Sequence, residues 1–222
     1  MMDAAIAHFS AVIADPENPA AHFNLALWLQ QAERWDAAAE AFHRALCLDP
    51  RLDPARIGLG ACLLQLNRTE AALEVFNQAD DAAGLQLFGR AVALQLLGRF
   101  DEAESAYAAL LESEPASAET LANLIAMSAE TRDLENMREY SQKLLGIAPR
   151  SAVALQGLAT VALERRDNHA AAKYCDRLLE LAPDCLEGWH NLRVALDRIL
   201  SAFTASRPAA PIPPAASIQE AW

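Results

Sequence analysis

The prolines of this chain recur on a fixed stride. Pro16 to Pro50 is 34 residues, as are Pro115 to Pro149 and Pro149 to Pro183, while Pro50 to Pro115 is 65, one stride of 34 and one of 31. One copy of the unit is therefore three residues short and has lost its proline. The segments ahead of these prolines agree: "HFSAVIADP", "HRALCLDP", "YAALLESEP", "SQKLLGIAP" and "CDRLLELAP" each read as the end of an amphipathic helix. Proline stops it there, because it lacks an N–H and disfavours helix in the residue before it. A repeat of this length is one small supersecondary unit that buries its apolar face only by stacking on its neighbours.

A new helix opens after each proline. Asn18-Pro19 and Asp53-Pro54 set a capping side chain ahead of a first-turn proline, and Ser117 and Ser151 are the matching caps later. A second break falls inside each unit, at "QQAERWDAA", "LQLNRTEAA", "LQLLGRFDEA", "AETRDLENM" and "LERRDNHAA". Asp36 and Asp101 are read there as caps of a second helix. The composition fits helices throughout. It is 53% hydrophobic but only 6% aromatic, and its apolar content is mostly alanine and leucine, which lose little freedom in a helix.

Columns line up across the units. The first helix has a leucine column (Leu25, Leu59, Leu124, Leu158, Leu192) and beside it a small one (Ala26, Gly60, Ala91, Ala159). The second helix has an alanine column (Ala38, Ala72, Ala103, Ala171), then rings four residues on (Phe42, Phe76, Tyr107), then a smaller apolar column (Ala45, Ala79, Leu110, Leu144, Leu178). Small residues mark where helices cross closely, and the rings fill the space beside them. Two departures stand out. The fourth unit has Ile125, Met137 and Ser141 in place of two small residues and a ring, which predicts a wider helix spacing there or a local bend in the solenoid. Arg90 falls in the leucine column, so either it snorkels to water or the register slips.

On these columns the chain resembles the tetratricopeptide repeat family over about residues 3–203. The resemblance implies an all-α, right-handed solenoid of about five antiparallel helix pairs. The repeats fall at about 19–52, 53–83, 84–117, 118–151 and 152–185. An orphan second helix at 3–14 precedes them and a capping helix at 186–203 follows. The Pro/Ala-rich stretch 204–222 reads as a linker or disordered tail.

Chemistry is sparse. There is no GxGxxG, P-loop, HExxH or GxSxG, so no catalytic residue, cofactor or metal is expected. The five histidines are scattered, and the four cysteines have no metal or redox spacing. Asn67-Arg68-Thr69 matches a glycosylation sequon and is read as chance. A net charge of −12 argues against nucleic acid. No apolar run is long enough for a membrane span, and the N-terminus lacks a signal peptide's charged start. The expected location is the bacterial cytoplasm.

The resemblance implies that first helices line an inner groove, and projecting the pattern names its residues. The first unit gives Phe23, Asn24, Leu27, Gln30 and Gln31; the second Ile57, Ala61, Leu64 and Gln65; the third Phe88, Val92 and Gln95. The fourth gives Glu119, Asn123, Ala126 and Glu130, the fifth Gln156, Thr160 and Glu164, and the cap Glu187, His190, Asn191 and Asp197. The early part is apolar with side-chain amides and the later part acidic, which suits a peptide or amphipathic helix with apolar anchors and a basic end. The competing reading packs these apolar residues between repeats. A third has the groove take the chain's own tail through Ile212, Ile218 and Trp222. Homo-oligomers through the N-terminal helix or the tail are a further option. Family members that grip a chaperone's C-terminal carboxylate use inward Lys and Arg with two Asn; here only Asn24 matches, which argues against that role. The expected function is a non-catalytic scaffold or adaptor. The alternative is the substrate-recruiting region of a larger bacterial protein-modifying enzyme, such as a flagellin glycosyltransferase.

Overall fold

The computed structural model describes residues 10–12, 14–78 and 84–206. Eleven full helices lie among them and no strand: α1 Pro19–Gln31, α2 Trp35–Leu48, α3 Asp53–Gln65, α4 Thr69–Phe76, α5 Leu85–Leu96, α6 Phe100–Ser113, α7 Ala118–Thr131, α8 Leu134–Ile147, α9 Ala152–Glu164, α10 Asn168–Leu181 and α11 Leu186–Ser206. Of the expected orphan helix at 3–14, residues 10–12 and 14 are helical and the rest lie outside the described residues. So does the expected tail beyond Ser206, whose first residues, 204–206, continue α11.

The turns inside the units are one turn repeated. Glu33, Asn67, Gly98, Arg132 and Arg166 have positive φ, between 56° and 72°, and they sit at the same stride as the prolines. The amide after each donates to a carbonyl five residues back: Arg34 to Leu29, Arg68 to Leu63, Arg99 to Leu94, Asp133 to Ser128 and Asp167 to Ala162. This is the left-handed helix stop that satisfies orphan carbonyls. It reverses the chain within three residues, as in an αα-hairpin.

Helix starts differ from the sequence reading at three places. Asn18 caps α1 from its side chain, accepting from the Ala20 and Ala21 amides, and Ser117 and Ser151 cap α7 and α9. Asp36, Asp53 and Asp101 are not caps. They lie in the first turn of α2, α3 and α6, whose N-cap residues make no side-chain cap bond. The tight turn starts each helix early, so these carboxylates act on the helix dipole instead. Asp133 and Asp167 are caps that the reading passed over, bonding the amides of Asn136 and Ala170.

The chain divides into two compact units, Met1–Asn136 and Met137–Trp222. The division falls inside the fourth repeat, where Ser141 replaces the ring; its side chain is fully buried and its hydroxyl has no hydrogen-bond partner. In the first unit each helix packs on the next, and first helices also touch the first helix two elements on: α1 on α3, α3 on α5, α5 on α7. In the second unit α9 packs on α10, α10 on α11, and α9 on α11.

The rings hold the first unit together. A Cβ added to Gly58 would lie 2.4 Å from the tip of Phe42, and one on Gly60 or Gly89 would lie 2.3 or 2.4 Å from the tip of Phe76. Phe42 and Phe76 thus each plug a notch in the first helix of the next repeat, and Phe76 also fills one in its own. From Phe42 to Gly58 is 16 residues; from Phe76 to Gly89 is 13. The three missing residues therefore come out after the ring, where α4 ends, and the contact survives. The register does not slip at Arg90. The side chain is half-buried with its Nε unpartnered, and its charge acts on Glu102.

Another link recurs that the sequence reading did not see. Side-chain nitrogens of His22, Arg56 and Trp189 each bond the proline carbonyl six residues earlier, in Pro16, Pro50 and Pro183. Imidazole, guanidinium and indole satisfy the same orphan acceptor between a second helix and the next first helix.

Candidate protein-binding surface

Within the first unit, α1, α3, α5 and α7 form a continuous row, and one face of that row stays partly exposed. On α1 the inward positions Leu25, Ala26 and Leu29 are buried, while Leu27 is 45% exposed and Asn24 and Gln31 are exposed. The alternation follows from helical period: Phe23, Leu27 and Gln30 recur at four and three residues and share one face. Ile57, Ala61 and Leu64 repeat this on α3, and Phe88, Val92 and Gln95 on α5. All of these, like Phe23 and Gln30, are half-buried. Gln65, Glu119, Ala126 and Glu130 are exposed and Asn123 is half-buried.

The rings on this face are footed on the core rings. Phe23 meets Phe42 at 5.8 Å between centroids, and Phe88 meets Tyr107 at 6.2 Å edge to face. Their exposed halves are therefore held still. Between α5, α6 and α7 a cavity of about 170 Å³ is lined by Gly84, Leu85, Phe88, Leu110, Glu114, Ser117, Glu119 and Thr120. Leu85 stands 67% exposed at its edge. The sequence reading missed Leu85, although it lies one turn ahead of Phe88 on the same face. The floor of the cavity is apolar, and the carboxylates of Glu114 and Glu119 stand in its lining.

A polar chain runs beside the cavity. The Tyr107 hydroxyl donates to Gln95 Oε1 at 3.0 Å, and Gln95 Nε2 reaches Glu130 Oε1 at 3.4 Å. Burial pushes the Tyr107 phenol up to about 12, and the Asn123 side chain bonded to it partly offsets this. Gln95, Asn123 and Glu130 are thus engaged with the protein, whereas among the described residues no side-chain hydrogen bond engages the amides of Asn24, Gln30, Gln31 and Gln65.

In the second unit Gln156 and Glu187 hydrogen-bond each other. Thr160 and Asn191 are half-buried there, and Glu164, His190 and Asp197 are exposed. Among the described residues no group of three or more His, Cys, Asp or Glu is placed to hold a metal ion. His43 and Cys47, passed over in the sequence, are one turn apart on α2 with Nδ1 and Sγ 3.7 Å apart. The four cysteines are free thiols. Burial pushes those of Cys62 and Cys175 up to about 11. Among the described residues no helix is long and apolar enough to cross a membrane.

Two tetratricopeptide-repeat models match the sequence, one over residues 2–55 and one over 29–93. Over residues 2–93 the chain belongs to the tetratricopeptide-repeat family. A model of the coatomer epsilon subunit matches residues 67–149 as well. No curated protein matches the chain in sequence. Solved structures share its fold. PilW, a type IV pilus biogenesis factor, is 22% identical with a TM-score of 0.72, over 85% of this chain and 87% of its own. YrrB, a TPR protein with an unusual peptide-binding site, is 18% identical with a TM-score of 0.69, over 85% and 99%. MamA from Desulfovibrio magneticus RS-1 is 16% identical with a TM-score of 0.69, over 76% and 97%.

Proposed function

We propose that the row α1–α3–α5–α7 binds a segment of another protein, with apolar anchors on the first three helices and a basic end toward α7. The observation that carries this is the row of half-exposed Phe23, Ile57, Leu64, Phe88 and Val92 around the 45%-exposed Leu27. An apolar patch that continues over three adjacent helices is unfavourable in water and is relieved by a partner. Stacked repeats of this kind present extended binding surfaces, and YrrB, which shares the fold, has a peptide-binding site. Glu114 and Glu119 at the cavity rim favour Lys or Arg beside an anchor. The engagement of Gln95, Asn123 and Glu130 leaves recognition there to charge and shape. On this reading the chain is a scaffold whose chemistry, if any, belongs to what it holds.

The test is a synthetic amphipathic peptide with Leu and Phe on one face and Lys and Arg at one end. Its affinity is measured by calorimetry for the native chain and for Leu27→Glu. The substitution is expected to cost roughly 2 kcal/mol of binding, the scale of an interface anchor, with helical content unchanged because Leu27 is already exposed. Equal binding by both chains, or by a peptide with an acidic end, would overturn the reading.

A further inference from the structure

Within the row, α5 differs from its neighbours at both ends. Leu85, Phe88, Val92 and Leu96 follow one another at helical spacing along its open face. Leu85 and Leu96 are 67% and 63% exposed, and the two between them are half-buried. At the two end positions α1 carries Ala20 and Gln31, α3 carries Pro54 and Gln65, and α7 carries Glu119 and Glu130. α5 is thus the one helix of the row that is apolar along its whole open length. From Leu85 to Leu96 is 11 residues, or about 16 Å.

A carboxylate of α7 stands beside each end of this stripe. Glu119 lines the same cavity as Leu85 and Phe88. At the other end Gln95, the residue before Leu96, reaches Glu130 Oε1. Both glutamates are exposed, and they too are 11 residues apart. Arg99, three residues past Leu96, is held by Glu102. On the other side of α5 the matching residues of α3, from Pro54 to Gln65, are uncharged at Pro54, Ile57, Ala61 and Gln65.

The side-chain amides divide the row in the same place. Those of Asn24, Gln30, Gln31 and Gln65, on α1 and α3, are engaged by no side-chain hydrogen bond among the described residues. On the seam between α5 and α7, Gln95 is held between Tyr107 and Glu130, and Asn123 is bonded to Tyr107. A ligand backbone can pair with amides over α1 and α3 but not over this seam. A helix satisfies its own backbone groups and needs no such partners. It can also run nearly aligned with α5, which keeps a stripe of this length in contact.

Resting on the function proposed above, we propose that the basic end of the bound segment is a helix lying lengthwise along α5. Its apolar face covers Leu85, Phe88, Val92 and Leu96. Two Lys or Arg side chains on one edge, about three turns apart, meet Glu119 and Glu130.

The probe is a synthetic peptide of the kind described above, whose basic end has an apolar face and two lysines three turns apart on one edge. Calorimetry measures its affinity for the full chain and for Leu27→Glu, Leu96→Glu and Glu130→Lys, all at exposed positions, with circular dichroism checking each fold. Leu96→Glu should weaken binding roughly tenfold or more, as should a proline in the middle of the peptide's basic end, which breaks a helix there. The complex should show more helix than the sum of its separate parts. Glu130→Lys should weaken binding too, and one of the two peptides with a single lysine changed to glutamate should restore it. Which of them does so gives the direction of the bound helix. Binding that falls with Leu27→Glu but is unmoved by Leu96→Glu or by the proline would overturn the helix and leave the binding row standing, with the segment extended throughout. Restoration by neither peptide would overturn the pairing with Glu130. Binding indifferent to Leu27→Glu, or no binding by the native chain, would overturn both readings.

Discussion

Two glycines carry more of the first unit than their size suggests. The tip of Phe76 lies where side chains on both Gly60 and Gly89 would be, so neither can gain a methyl without moving a ring that the other holds. Alanine is the better helix former by about 1 kcal/mol, but overpacking a core costs about 1–3 kcal/mol. Here the ring has no free direction, and sterics win. Gly89→Ala is expected to lower stability by about 1–3 kcal/mol in urea denaturation; an unchanged or raised midpoint would mean that the ring has room. The sequence showed this only in part. Gly60 was legible as a crossing because it lies in an alanine column. Gly58 and Gly89 were not, since their column holds asparagine in other repeats (Asn24, Asn123) and what fills it comes from the repeat before. Asp36, Asp53 and Asp101 were misplaced for a similar reason: a helix begins where the preceding turn releases the chain, not at the first good cap.

At the scale of elements, the hairpin turn is the most uniform feature and the least uniform in sequence. Glu33, Asn67, Arg132 and Arg166 take the left-handed conformation that Gly98 takes without a side chain. A left-handed residue other than glycine costs roughly 1–2 kcal/mol. Arg166→Gly is therefore expected to raise stability by about 1 kcal/mol, and Gly98→Ala to lower it by about as much. The pair of urea midpoints checks both signs; movement in the same direction would show that the turn does not set the cost. The breaks were legible from the stride, although only one contains glycine, because periodicity carries information that local turn chemistry does not. The partly exposed face proposed for binding was legible to a similar depth. Helical spacing picked Phe23, Leu27 and Phe88 as surface residues. It did not show that Phe23 and Phe88 are footed on Phe42 and Tyr107, nor that Gln95 is occupied by Tyr107. Those contacts join residues a dozen or more apart, which no local pattern encodes.

For the whole molecule, packing in each unit is between neighbours and next neighbours, so stability is close to a sum of local interfaces. Each unit carries its own buried thiol, Cys62 in the first and Cys175 in the second, both with pKa raised to about 11 by burial. Neither should react with a thiol reagent until its helices open. Pulsed labelling along a urea series reads the two separately. Gly89→Ala should bring Cys62 labelling to lower urea and leave Cys175 in place; if both move together, the chain unfolds as one body and the nearest-neighbour account fails.

The junctions between repeats are also not interchangeable. Phe42 and Phe76 are each followed by a glycine that receives the ring, whereas Tyr107 is followed by Asn123, whose side chain meets the hydroxyl. Transposing the repeats would press a ring onto an amide or leave a phenol facing bare backbone. The order of the copies is thus written into their seams, and a shuffled chain of the same composition would be the poorer protein.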